Sequence, residues 1–193
     1  MKILGALALV VVLLGLWAVG SYNGLVARRE AVGSAWSQVE NQYQRRLDLV
    51  PNLVETVKGA AKFEKDTLTA VVEARAKVGS MTVDKSVLED PAAFKQFEAS
   101  QGALTSALSR LMVVVEKYPQ LTATQGYRDL QQQLEGTENR IAVARMDFNN
   151  AAQDYNTAIK TFPGVLIAGP GGFKERPYFA AEPAAAKAPA VKF

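Results

Sequence analysis

The chain opens on a long apolar run. From Ile3 to Gly20 no side chain is charged, and the first charge after Lys2 is Arg28. A helix needs about 20 residues to cross a hydrocarbon core of about 30 Å, so this run predicts a transmembrane helix. Trp17 and Tyr22 stand near its far end, where aromatic rings favour the headgroup layer. A signal peptide is the competing reading, with Lys2 before the apolar stretch and Ala18-Val19-Gly20 as a small-residue cleavage site. The run is longer than an ordinary signal core, which favours a retained anchor.

Beyond the anchor the apolar positions recur at threes and fours, the stripe of packed helices. Tyr22, Leu25, Val32, Trp36, Val39, Tyr43 and Val50 mark a first helix, although Gly20, Gly24 and Gly33 weaken it. Asp48 and Pro51 suit a cap and a first turn, and predict a boundary there. A second stripe, Leu53, Val54, Val57, Ala61, Leu68, Val71 and Val78, runs to Gly79-Ser80. A third begins at Asp90-Pro91, carries Phe94, Phe97, Leu104, Leu108, Leu111 and Val115, and stops at Tyr118-Pro119. The fourth is the most regular: Leu134, Ile141, Phe148, Tyr155 and Phe162 stand seven apart, with Thr137, Ala144, Ala151 and Ala158 three further on. Large residues on one row and small ones on the next resemble a coiled-coil seam. Pro163-Gly164 ends it.

No segment alternates with period two, and no repeat of solenoid length occurs. The predicted fold is therefore all-α: a transmembrane anchor over residues 1–24, an antiparallel bundle of the four-helix type over 25–163, and an irregular, partly disordered tail over 164–193. Residues 181–193 are Ala/Pro-rich, as expected of a disordered end.

Composition narrows the chemistry. The 193 residues include no cysteine and no histidine. Disulfides, thiol nucleophiles, Ser-His triads, histidine zinc sites and Glu-x-x-His di-iron bundles are all excluded. The 22 basic and 19 acidic residues leave a net charge of +3, too balanced for a dedicated nucleic-acid binder. Lys58, Lys62 and Lys65 are offset by Glu55, Glu64 and Asp66, the pattern of a solvated helix face. No cofactor, metal or catalytic residue is predicted.

Several segments together resemble the LemA family. They are Arg45-Arg46-Leu47-Asp48-Leu49-Val50-Pro51-Asn52-Leu53-Val54, Glu116-Lys117-Tyr118-Pro119, Thr137-Glu138-Asn139-Arg140-Ile141 with Ala144-Arg145, and Tyr155-Asn156 before Phe162-Pro163. Tyr22-Asn23 with Leu25-Val26 after the anchor, and the ending Pro189-Ala190-Val191-Lys192-Phe193, fit as well. The resemblance implies a single-pass bacterial inner-membrane protein with a long helical bundle, a scaffold or interaction role, and no enzymatic activity. The charges flanking the anchor do not decide which side the bundle occupies, and the periplasmic side is the expectation. Two positions depart from the family pattern. Phe63-Glu64 replaces a frequent His-Glu pair, which removes a metal or proton-relay role there. Phe148-Asn149 replaces Tyr-Asn, losing a hydroxyl and keeping the ring.

Polar residues set on or beside the apolar rows are the candidate site. Arg46, Asp48, Glu64, Arg75, Gln101, Glu138 and Arg145 are expected to form either a buried network that sets helix register or a polar groove for a partner. A lone acid among arginines suits a salt bridge better than acid–base catalysis. Asn23, Asn149 and Asn156 either bridge helices or face water.

The tail supplies a second candidate set: Val165, Ile167, Phe173, Tyr178, Phe179 and Phe193. With four antiparallel helices, residues 163–180 return to the membrane surface. There they would pack on the bundle, dip into the lipid interface, or take a partner. The expected partners are the lipid bilayer, an unidentified protein and a second copy of the chain, without nucleic acid. The leading function is a membrane-anchored scaffold. The alternative is an adaptor or regulator of a membrane protease or envelope-stress pathway, with the chain end as a peptide for a groove.

Overall fold

The apolar run and the first amphipathic stripe fold as one uninterrupted helix, α1 (Lys2–Lys58). The computed structural model describes residues 2–59, 64–81 and 84–180. Phe63 and Phe193 lie outside the described residues. The other elements are α2 (Lys65–Gly79), a 3-10 turn (Lys85–Leu88), α3 (Pro91–Val115), the short α4 (Pro119–Thr122), α5 (Gln125–Lys160) and the single-turn-plus α6 (Gly164–Ala168). No strand occurs among the described residues, so the all-α bundle predicted from periodicity is the observed fold.

Local chemistry explains where the helices begin. Asp90 accepts a hydrogen bond from the Ala92 amide at 2.8 Å, with Pro91 in the first turn of α3. Thr124 Oγ1 accepts from the Tyr127 amide at 3.3 Å to start α5. Asp84 caps the 3-10 turn through the Ser86 amide at 2.8 Å.

The predicted break at Asp48-Pro51 does not occur. Pro51 sits inside α1, and Asp48 instead accepts from Gln44 Nε2 one turn earlier, at 2.8 Å. A proline in a helix has no amide to give the carbonyl four residues back. Here that carbonyl belongs to Leu47, and Arg75 of α2 donates its Nε to it at 3.3 Å. A side chain from the neighbouring helix thus supplies the donor that the backbone lost. The helix continues to Lys58 because its interior proline is compensated.

α5 runs back along α1. Glu138 meets Arg46, Phe148 meets Trp36 and Phe162 meets Trp17, so rising numbers on one helix pair with falling numbers on the other. α2 and α3 complete the bundle beside them. Two apolar clusters fill it. The anchor-proximal cluster gathers Leu25, Val32, Trp36, Val39 and Tyr43 of α1 with Phe94, Phe97, Ile141, Phe148 and Tyr155. The distal cluster gathers Leu49, Val50, Leu53, Val54 and Val57 with Val71, Leu104, Leu108, Leu111, Tyr127 and Leu134. The side chains from Ile3 to Trp17 touch neither and are exposed.

Four of the five large heptad residues on α5 are buried, while Phe162 lies past its end and is 74% exposed. The small row also shifts. Thr137 and Ala144 are buried, but Ala152 and Ile159 take over from the half-buried Ala151 and Ala158. A straight helix drifts by about 20° per heptad, so a strict spacing of seven gradually leaves the buried face, and an extra step of four, from Phe148 to Ala152, brings it back.

Apart from one short helix the described tail is irregular, and it packs on the bundle. After α5 the chain reverses at Gly164, where a Cβ would stand 2.0 Å from the Ala158 carbonyl oxygen. α6 follows, then Gly172 turns with φ +69°, and residues 173–180 run extended along the bundle. Phe162 to Phe173 stay beside Trp17, Tyr22 and Leu25, but Phe179 has climbed to Trp36. The parity expectation therefore describes the elbow and not the whole of 163–180.

The Arg75 bond is testable by a double-mutant cycle. R75A is expected to cost about 1 kcal/mol in the native background, the worth of one hydrogen bond. In P51A, where a restored backbone amide reclaims the Leu47 carbonyl, R75A should cost markedly less. Equal costs in denaturant unfolding of the two backgrounds would separate Arg75 from Pro51.

Candidate functional site

The two apolar clusters are divided by a polar layer. On α1 it lies between Tyr43 and Leu49, on α3 between Phe97 and Leu104, and on α5 between Leu134 and Ile141. Arg46 is its centre and is only 1% exposed. Its Nη1 donates to Thr105 Oγ1 at 2.8 Å and to Glu138 Oε1 at 3.0 Å. Its Nη2 donates to Gln101 Oε1 and, at 3.4 Å, to the Gln101 carbonyl. The Tyr43 ring stacks beneath the guanidinium at 5.0 Å. One side chain of α1 therefore ties α3 and α5 at a single level. Burial raises the Tyr43 hydroxyl pKa above the ordinary tyrosine value, while Arg145 and Arg46 pull it down.

This layer brings together Arg46, Gln101 and Glu138 of the predicted set and adds Thr105. The remaining members lie elsewhere. Glu64 is exposed, just ahead of α2, and accepts from Thr67 Oγ1 at 3.3 Å. The heptad row that placed it on an apolar face does not run unbroken through one helix, because α1 ends before it and α2 begins after it. Asp48 is exposed against Gln44, and Arg75 serves the Leu47 carbonyl.

Arg145 belongs to a second polar array, which holds the tail. Asn156 donates Nδ2 to the Arg176 carbonyl at 2.8 Å and accepts from the Arg176 amide at 2.9 Å. Asn149 repeats the pattern on Phe179, donating at 3.1 Å and accepting at 2.9 Å. The spacing follows from geometry. Seven helical residues rise about 10.5 Å and three extended residues span about 10 Å, so the two repeats stay in step. Each Asn reads a backbone as a sheet partner would, independent of the tail's side chains. Asn23, by contrast, is exposed.

Beyond Asn149, Arg145 donates to the Ala180 carbonyl at 2.9 Å and Glu98 accepts from the Ala180 amide at 3.1 Å. Arg145 and Glu98 also face each other at 3.5 Å. Arg176 turns inward and donates to the Leu88 carbonyl at 3.1 Å and to Glu89 at 3.2 Å. Phe179 then enters the aromatic cluster, 4.9 Å from Phe94, 5.5 Å from Phe148 and 6.1 Å from Trp36, with Arg145 over its face at 4.7 Å. Phe173 is buried against Tyr22 and beneath Arg29. Of the other tail candidates, Ile167 is half-buried on the core, while Val165 and Tyr178 are exposed.

Comparison with known proteins bears on this architecture. The LemA family model matches residues 35–193. The chain belongs to the LemA family. It is 33% identical to magnetosome protein MamQ 2 of Paramagnetospirillum magneticum, the match covering 84% of this chain and 66% of that protein. It is 31% identical to magnetosome protein MamQ of Magnetospirillum gryphiswaldense over the same shares. It is 26% identical to protein LemA of Metamycoplasma hominis, over 75% of this chain and 62% of the relative. The chain thus spans a little under two thirds of the length of these relatives. In this LemA family member the Arg46 layer lies inside the matched region, and so does the tail groove.

Among the described residues no group of three or more acidic side chains converges as a metal would require. A shallow, open groove between α1 and α5 is lined by Arg28, Ala31, Ala151, Asp154, Thr157 and Ala158.

The layer predicts a specific pair of outcomes. R46A should lower stability by about 1–3 kcal/mol, because Gln101 loses a buried hydrogen-bond partner while the partly solvated Glu138 keeps access to water. The triple variant R46M/Q101L/E138L should recover most of that stability while losing register. Denaturant unfolding in detergent reads the first effect, and size distribution in solution reads the second. A triple variant that is as unstable as R46A, or uniformly monodisperse, would contradict the register role.

Proposed function

We propose that this LemA family protein is a single-pass, membrane-anchored helical scaffold of the bacterial inner membrane that presents its bundle surface to protein partners. The observation that carries the reading is the continuity of α1 from the apolar span into the bundle core. A helix rises about 1.5 Å per residue, so the stretch from Leu25 to Lys58 holds the distal end roughly 50 Å from the anchor. The anchor and bundle move as one body, which suits a protein that holds others at a set distance from a bilayer.

Two further features support it. Both Nη atoms of Arg46, and the amide groups of Asn149 and Asn156, are spent on partners within the chain, as in a structural core. Apolar side chains also remain on the outside of the bundle, with Val113, Val143 and Met146 all more than half exposed. Such positions are available to a partner surface. The reading assigns no catalysis to the chain. Two relatives carry the name of magnetosome proteins, which supports the membrane association and not the scaffold role.

Photo-crosslinking in native membranes tests the proposal. A crosslinking residue at Val113, Val143 or Met146 is expected to give at least one discrete protein adduct, with the chain retained in the pellet after alkaline carbonate extraction. Release by carbonate, or no discrete protein adduct from any of the three positions, would overturn it.

A further inference from the structure

The turn between α5 and α6 is unusually apolar for a surface elbow. No charged residue occurs between Lys160 and Lys174. Gly164 and Ala168 face inward, and Ile167 is half-buried on the core. The bulk of the apolar surface faces outward: Phe162 is 74% exposed, Leu166 59% and Val165 47%. These three residues leave apolar surface open to water in a protein that otherwise buries its large heptad rows.

Their position identifies the occupant. The Phe162 ring lies 6.1 Å from Trp17, itself on the exposed run of α1. Counting about 20 residues from Ile3 for a 30 Å core places the far boundary near Tyr22. The elbow therefore stands beside α1 at the level where the span leaves the hydrocarbon. Directly beyond it come Arg28 and Arg29 on α1, Lys160 at the end of α5, and Lys174. Lys160 meets Glu175 in an ion pair, and Arg29 lies over Phe173. Apolar side chains below and cations above form the profile of an interfacial element on anionic lipid.

We propose that the α5–α6 elbow is a second membrane contact, with Phe162, Val165 and Leu166 inserted at the acyl–headgroup boundary of the same bilayer that α1 spans. The proposal rests on the anchor reading above. Its consequence is orientational. A lone helix is free to tilt and rotate about its axis, whereas a helix with a lateral wedge presents one fixed face of the bundle to each side. The elbow stands at the level of Trp17 because α5 runs back along α1, so membrane docking reports a closed bundle.

The chain lacks cysteine, so single reporters can be placed without background. V12C, L166C and V143C are nitroxide-labelled in the full chain, each in vesicles of phosphatidylethanolamine and phosphatidylglycerol, and collision with oxygen and with a water-soluble nickel chelate is measured. V12C should read as deep, V143C as aqueous, and L166C as interfacial, oxygen-accessible and several-fold less nickel-accessible than V143C. Nickel access at L166C equal to V143C, with V12C still deep, would overturn the elbow contact and leave the anchor standing. An aqueous V12C would overturn the anchor and the elbow with it. L166C shielded from both agents would show a protein covering the elbow, and would also overturn the proposal. Leu166 is exposed, so the substitution leaves the core intact.

Discussion

A guanidinium buried in the middle of an apolar bundle constrains everything around it. Arg46 has no route to water and must find its partners within the chain, at one level of three helices. Slipping α3 or α5 by a turn, about 5.4 Å, would strand the charge in an apolar medium. Leucines and valines on either side tolerate many registers, since apolar contact is not directional. The division of labour is clear: the two apolar clusters supply cohesion, and the layer between them selects the alignment. Glu138, at the edge of the layer, brings the counter-charge while remaining partly solvated.

Alignment matters because the rest of the molecule is built on long helices. With α1 and α5 in register, Phe162 arrives beside Trp17, the chain turns back at Gly164, and Asn156 and Asn149 stand where an extended tail can be read. An error of one turn would separate Phe179 from the ring cluster around Trp36. The tail in turn covers that cluster, so the anchor-proximal core is completed by residues far beyond the last long helix. The same device recurs at Pro51, where a side chain from α2 answers a backbone carbonyl of α1. Polar side chains here repair or read backbone, and they do so at the points where a helix or a tail would otherwise lack partners.

Much of this was legible in the residues. Periodicity marked the apolar stripes of α1, α3 and α5, because a stripe at threes and fours has few other uses, although it divided α1 from α2 at the wrong place. Arg46 and Gln101 stood out because each interrupted such a stripe, and Glu138 because it flanked one. Pro51 misled for a physical reason: local propensity argues for a break, and the compensating donor lies 28 positions beyond the carbonyl it serves. Glu64 misled because a heptad count assumes an unbroken helix. Thr105, Glu98 and Glu89 carried no signal, since polar residues on exposed or half-exposed helix positions are ordinary. Asn149 and Asn156 did carry one, a repeat of seven beside the core rings Phe148 and Tyr155, but their partner was an extended segment that no periodicity announces.

The mechanical claim underlying the scaffold reading is that α1 crosses from the anchor into the bundle without a joint, despite Gly20, Gly24 and Gly33. Pulsed electron–electron distance measurement on the V12C/N41C double-labelled chain in lipid nanodiscs addresses it directly. The roughly 29 helical steps between the labels correspond to about 44 Å. A rigid helix predicts one narrow peak near that distance. A broad or bimodal distribution, with a population well short of it, would place a hinge at the membrane exit and contradict the rod.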